Sequence, residues 1–121
     1  MTLNTLFIFT KPNRMGVSKT RLAREIGYAE AQRVNAMATA RVLRQAEGAS
    51  WQTLLCIAPD EAIYDDQPLW PKHLPRLAQG NGNLGDRMAR AFYAAPNGNV
   101  LFIGTDMPDL RRVHIEGAIK S

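Results

Sequence analysis

Residues 3–9, LNTLFIF, form a short and nearly continuous apolar run rich in β-formers. A strand written this way has no polar face to turn to water, so it needs cover on both sides, which a parallel sheet between helices supplies. Similar runs return at residues 51–58 and 100–104, with a shorter candidate at 74–78. Between them the apolar period becomes helical. Residues 29–47 carry Ala31, Val34, Ala38, Val42 and Ala46 at that spacing, with Arg33, Arg41, Arg44 and Glu47 on the expected solvent face. A helix beginning at TRLAREIG is expected before it, ending near Gly27. Asn83, with Asp86 three residues on, marks a capped helix start. Its apolar face would carry Leu84, Met88, Ala91 and Phe92, and Asn97-Gly98 would break it. A last helix over 111–120 carries Val113, Ile115 and Ile119. Strands alternating with helices through short connections predict right-handed crossovers and an α/β three-layer sandwich with a mostly parallel sheet.

Of the 121 residues, 45% are hydrophobic, enough for one packed core, so residues 1–121 are read as a single α/β domain. No apolar stretch approaches membrane-spanning length, and the N-terminal run has neither a basic lead nor a cleavage pattern. The expectation is a cytoplasmic protein without a membrane partner. Cys56, the single cysteine, lies within TLLCIA; it has no intrachain disulfide partner and cannot build a thiolate metal cluster, so core packing is its expected role.

The net charge of +4 is less informative than its placement. Lys11, Arg14, Lys19, Arg21 and Arg24 fall in the first 24 residues, where there is no acid. A compact cluster beside a turn suits a polyphosphate. A nucleic-acid reader spreads its basic residues along a face with interleaved aromatics, and this cluster has none. The plain alternative is a solvated charged loop.

In parallel α/β sheets ligands bind beyond the carboxyl ends of the strands, and two candidate segments fall there. After the first strand, Gly16 permits close backbone approach near Lys19, Thr20 and Arg21 at a helix start, where N–H groups, the helix dipole and fixed cations would act together on phosphate. Lys11 and Lys19 would serve as point charges and Arg21 as a fork. The Walker A pattern is absent, which disfavours a P-loop NTPase. After the fourth strand, GTDMPDL places Asp106 where an oxygen ligand suits magnesium or manganese shared with substrate phosphates. Read from its chemistry alone, Asp106 is equally a turn former, and Asp109 is better read as a helix cap than as a ligand. A third segment, QGNGNLGDRM, supplies Gly80, Gly82 and Gly85 with Gln79 and Arg87 as polar groups. It is read as a loop approaching a base or ribose, distinct from the dinucleotide fingerprint. His73 and His114 have no metal-ligand spacing and read as ordinary surface or helix residues.

Taken in order, KPNRMGVSKTRLAREIG, QGNGNLGDRM and FIGTDMPDL resemble the DUF2064 family of GT-A-like proteins, which is related to nucleotidyltransferases such as the molybdenum cofactor guanylyltransferases. The resemblance runs from the first strand to His114-Ile115. It implies a nucleotide-diphospho-sugar transferase fold of Rossmann-like type. Lys11, Gly16, Lys19 and Arg21 match the family's basic first loop. Gln79, Gly80, Leu84, Gly85, Arg87 and Met88 match its second motif, and Gly104, Asp106 and Pro108 its acidic third. Asn83, Met15 and Thr105 depart from the family's aspartate, proline and serine.

By this resemblance the expected function is that of a metal-dependent glycosyltransferase-like protein. Lys19 and Asp106 would be catalytic, Asp106 holding magnesium or manganese, and Lys11, Gly16, Lys19, Arg21, Gln79, Gly80, Gly85 and Arg87 would bind the nucleotide. The partners implied are a nucleoside diphosphate sugar or a nucleoside triphosphate and an unidentified acceptor, with no nucleic acid. A nucleotidyltransferase of the guanylyltransferase type is the close alternative; a non-catalytic nucleotide-binding or assembly protein is a third reading. Family members continue into a segment resembling GPAxDGGYWL, so the domain is expected to be C-terminally incomplete and to form a homo-oligomer through its open side.

Overall fold

The computed structural model describes residues 4–12, 28–48, 50–96, 98–105 and 110–120. Its elements are β1 (Thr5–Thr10), α1 (Tyr28–Ala46), β2 (Gln52–Ile57), a 3-10 turn (Asp60–Tyr64), β3 (Arg76–Ala78), α2 (Leu84–Ala94), β4 (Val100–Gly104) and α3 (Arg112–Lys120). The strands form one sheet in the order β3-β2-β1-β4, and every pairing is parallel. The expected first helix, TRLAREIG, lies outside the described residues.

The register explains why the strands read as continuous apolar runs. Leu6 pairs with Thr53 and Leu101, and Ile8 with Leu55 and Ile103. With Ile57 these residues share one sheet face and join Val42, Leu43 and Ala46 of α1 and Ile115 and Ile119 of α3 in the main core, which Trp51, Trp70 and Leu74 extend. On the opposite face Phe7, Cys56 and Ala91 of α2 form the buried centre of a second cluster, with Phe9, Leu54, Leu77, Val100 and Phe102 partly buried around it. Phe7 stacks on Phe102 at 5.5 Å between ring centroids. Cys56 thus packs in the core as its setting predicts, and burial pushes its thiol up to about 12.

Three helical faces differ from the sequence expectation. In α1 the buried stripe is Thr39, Val42, Leu43 and Ala46, while Val34 is exposed. A helix of 19 residues extends about 28 Å against about 20 Å for a six-residue strand, so its N-terminal part overhangs the sheet. In α2 only Ala91 is fully buried and Met88 is half-buried, while Leu84 and Phe92 are exposed, so the covered face is narrower than the apolar stripe. In α3 Val113 is exposed while Ile115 and Ile119, four residues apart, share the face packed on the core. The predicted capping box is present: Asn83 Oδ1 accepts from the Asp86 N–H, and Asp86 Oδ2 accepts from the Asn83 N–H.

The connection from β2 to β3 is held by Arg76. Its guanidinium donates to the carbonyls of Ile63 and Asp65 and lies over the Trp70 ring, 5.1 Å from the centroid. At the opposite end of the sheet the Asn99 amide donates to the Ile119 carbonyl and the Asn99 N–H to Asn4 Oδ1, which ties α3 to the start of β1. His73 pairs with Glu47 at the surface, and His114 Nδ1 accepts from the Arg111 N–H at the start of α3, so both histidines have structural partners.

Candidate functional site

Because all four strands are parallel, their carboxyl ends meet at one edge of the sheet, where Lys11, Pro59, Gln79 and Thr105 follow. The chain runs outward from β1 through β2 to β3, then returns to place β4 on the other side of β1. The reversal opens a crevice between the ends of β1 and β4, the place where open α/β sheets take ligands. Lys11 is exposed on one side of it and Thr105 is half-buried on the other. Pro12 is fully buried, which pins the start of the loop leaving β1. Gly16, Lys19 and Arg21 of that loop lie outside the described residues, as does Asp106.

Gln79 builds the floor of this edge. It is buried, and its Nε2 donates to the carbonyls of Cys56 at 2.9 Å and Thr10 at 3.3 Å, which fastens the end of β3 to β2 and β1. Its Oε1 accepts from Arg87 Nη1 at 3.1 Å. With both ends of its amide engaged inside the protein, the Gln79 side chain shapes the loop. Arg87 is engaged likewise: its Nε donates to the Gly82 carbonyl at 3.0 Å. Arg90, which the sequence reading passed over, donates to the carbonyls of Gln79 and Asn81.

The result is a loop whose carbonyls turn toward arginines of its own helix. Gly80 and Gly82 take φ of 81° and 103°, the left-handed region that glycine enters without strain. A β-carbon on Gly80 would fall 2.1 Å from the Arg90 guanidinium, so the absent side chain also makes room for this clamp. Among the described residues the N–H groups of Asn81, Gly82, Leu84 and Gly85, before and within the first turn of α2, meet no acceptor. The expectation that this segment departs from the G-x-G-x-x-G pattern is corrected, because Gly80, Gly82 and Gly85 have that spacing; what differs from a dinucleotide fold is topology, since β3 and β4, which flank α2, are separated in the sheet by β2 and β1.

Asp60 is a second residue the sequence reading passed over. It opens the turn after β2, and its Oδ1 accepts from the Gly80 N–H at 2.9 Å. Its position just beyond a strand's carboxyl end is the available signal. Among the described residues no three His, Cys, Asp or Glu side chains gather to hold a metal, and no helix is long and apolar enough to cross a membrane.

These features define an α/β protein with a doubly wound parallel sheet, a fold shared with nucleotide-diphospho-sugar transferases. A family profile described as "Uncharacterized protein conserved in bacteria (DUF2064)" matches residues 37–121, and the chain belongs to that family. It is similar to a crystal structure from Desulfovibrio desulfuricans G20 of a "putative nucleotide-diphospho-sugar transferase", with 26% identity and a TM-score of 0.79. The match covers 99% of this chain and 54% of that one, so the chain spans about half the length of that relative. None of the curated proteins compared matches the sequence.

Proposed function

We propose that this chain binds a nucleoside diphosphate sugar at the carboxyl edge of its sheet and acts as a glycosyltransferase-like protein. The observation that supports the reading most is the arginine-clamped loop from Gln79 to Gly85, which turns its carbonyls inward and leaves N–H groups for a ligand at the start of α2. The basic loop, through Lys11, Gly16, Lys19 and Arg21, takes the phosphates. Asp106, next in sequence to Thr105 at the end of β4, would hold magnesium or manganese, and Lys19 is the second residue assigned a catalytic role. The donor set suits these hard cations, which commonly take one or two protein carboxylates and complete their shell with water and phosphate oxygens. A metal so bound would offset diphosphate charge and favour its departure from the sugar. The Gly80 to Gly85 main chain orients the nucleoside, and Gln79 and Arg87 hold that main chain in place.

A nucleotidyltransferase reading uses the same loop and differs in the bond cleaved. β4 is an edge strand of the sheet, and Leu84, Phe92 and Tyr93 are exposed on α2, which together support self-association as a homo-oligomer. A thermal-shift screen of UDP, GDP and their hexose conjugates, with manganese and with a chelator, tests the function. Binding raises the unfolding midpoint as ligand exceeds its dissociation constant. A manganese-dependent rise with the diphosphates supports the proposal, and no rise with any of them rejects it.

A further inference from the structure

The Gly80–Gly85 loop is held from two directions, and only one of them is its own helix. Arg87 and Arg90 of α2 take its carbonyls; the Gly80 N–H, by contrast, is taken by Asp60 from the turn after β2, 20 residues earlier in the chain. We infer that Asp60 is a positioning residue for nucleotide binding, an inference that rests on the function proposed above.

Gly80 is the hinge of the segment. It follows Gln79, which is buried and fastened to Cys56 and Thr10, and it precedes Asn81 and Gly82, which are exposed. The Gly80 N–H donates to the carboxylate of Asp60, in the turn after β2, at 2.9 Å. A charged acceptor makes a stronger bond to an N–H than a neutral one does. The pairing therefore selects one peptide orientation at the hinge, and with it the direction in which the N–H groups of Asn81 and Gly82 face. Without the carboxylate the Gln79–Gly80 peptide keeps the Arg90 bond to its carbonyl and loses the bond that fixes its N–H, so it is held from one side only. Ligand binding then has to restore the lost orientation, which weakens affinity.

The test is calorimetric titration of the full chain and its Asp60 variants with UDP and with GDP in manganese, together with amide hydrogen exchange. Asp60→Ala should weaken the bound diphosphate about tenfold, in line with loss of one hydrogen bond to a charged group, and speed exchange at Gly80. Asp60→Asn, which keeps an oxygen acceptor, should recover most of the affinity. The bond lies at the surface, so both variants should stay folded, with Asp60→Ala lowering the thermal midpoint by roughly a few degrees. Equal affinity in Asp60→Ala and the parent chain overturns the inference and leaves the proposed function standing. Failure of the parent chain to bind either diphosphate rejects the function and the inference with it, and faster Gly80 exchange in that case shows that the contact itself is real.

Discussion

Gln79 donates its side-chain amide to the carbonyl of Thr10 across 3.3 Å, a bond between residues 69 positions apart that reaches over β2 from the end of β3 to the end of β1. The same carbonyl accepts from the Ala58 N–H at 3.2 Å, so three strand ends are fastened at the carboxyl edge of the sheet. The frame of the candidate site is thus a buried polar network, and such networks are costly when partly emptied.

Replacing Gln79 with leucine keeps the bulk and removes the donors to Thr10 and Cys56 and the acceptor for Arg87. Leaving buried polar groups without partners costs about 1–3 kcal/mol each, so Gln79→Leu should lower unfolding free energy by about 2–4 kcal/mol in urea titration. A loss under about 0.5 kcal/mol would place the side chain outside the frame.

Two glycine-to-alanine changes should have opposite signs. A β-carbon on Gly48 would lie 2.4 Å from the Trp51 indole, which is buried and donates to the Ala46 carbonyl at 2.7 Å. Gly117, within α3, meets nothing within 4 Å. Gly48→Ala should destabilise by about 1–3 kcal/mol through overpacking. Gly117→Ala should stabilise by about 0.5–1 kcal/mol through helix propensity. Thermal unfolding of the pair reads both.

The Cys56 thiol is held at about 12 by burial, against an ordinary 9.0. Between these values an unfolded chain gives up the thiol proton and the folded chain keeps it. This group's contribution to stability is therefore fully present below about pH 9 and is lost as pH rises toward 12. Native protein should resist thiol labelling at pH 8 and react at once in denaturant, and Cys56→Ala should flatten the alkaline fall in stability. Rapid native labelling at pH 8 would contradict the burial argument.

The strands and the α2 cap were legible because their signals are local: apolar runs for β1, β2 and β4, and an Asn83–Asp86 pair three residues apart. The helix faces were less so. Val34 and Val113 fit a helical stripe as well as Val42 and Ile115 do, and only the length of the sheet and the position of α3 decide which are covered. The glycine loop was legible as a turn, but the roles inside it depend on pairs distant in sequence, Gln79 with Thr10 and Asp60 with Gly80, which no spacing rule announces.

Lys19 and Arg21 are expected to act on phosphate charge, so alanine at either should cost about 1.5–3 kcal/mol of affinity for a nucleoside diphosphate and little for the nucleoside alone. Parallel titrations with UDP and uridine separate the two effects; equal losses for both ligands would assign the residues to another part of the site.

The proposed function joins two parts, a nucleoside diphosphate at this edge of the sheet and a metal on Asp106 that would bridge to it. Isothermal titration of the chain and of Asp106→Ala with UDP and GDP, each in manganese and in chelator, measures it most directly. The parent chain should bind at least one diphosphate saturably in manganese, with binding severely weakened in chelator and in Asp106→Ala. Binding of equal strength in all three conditions, or no binding by the parent chain in manganese, would contradict it.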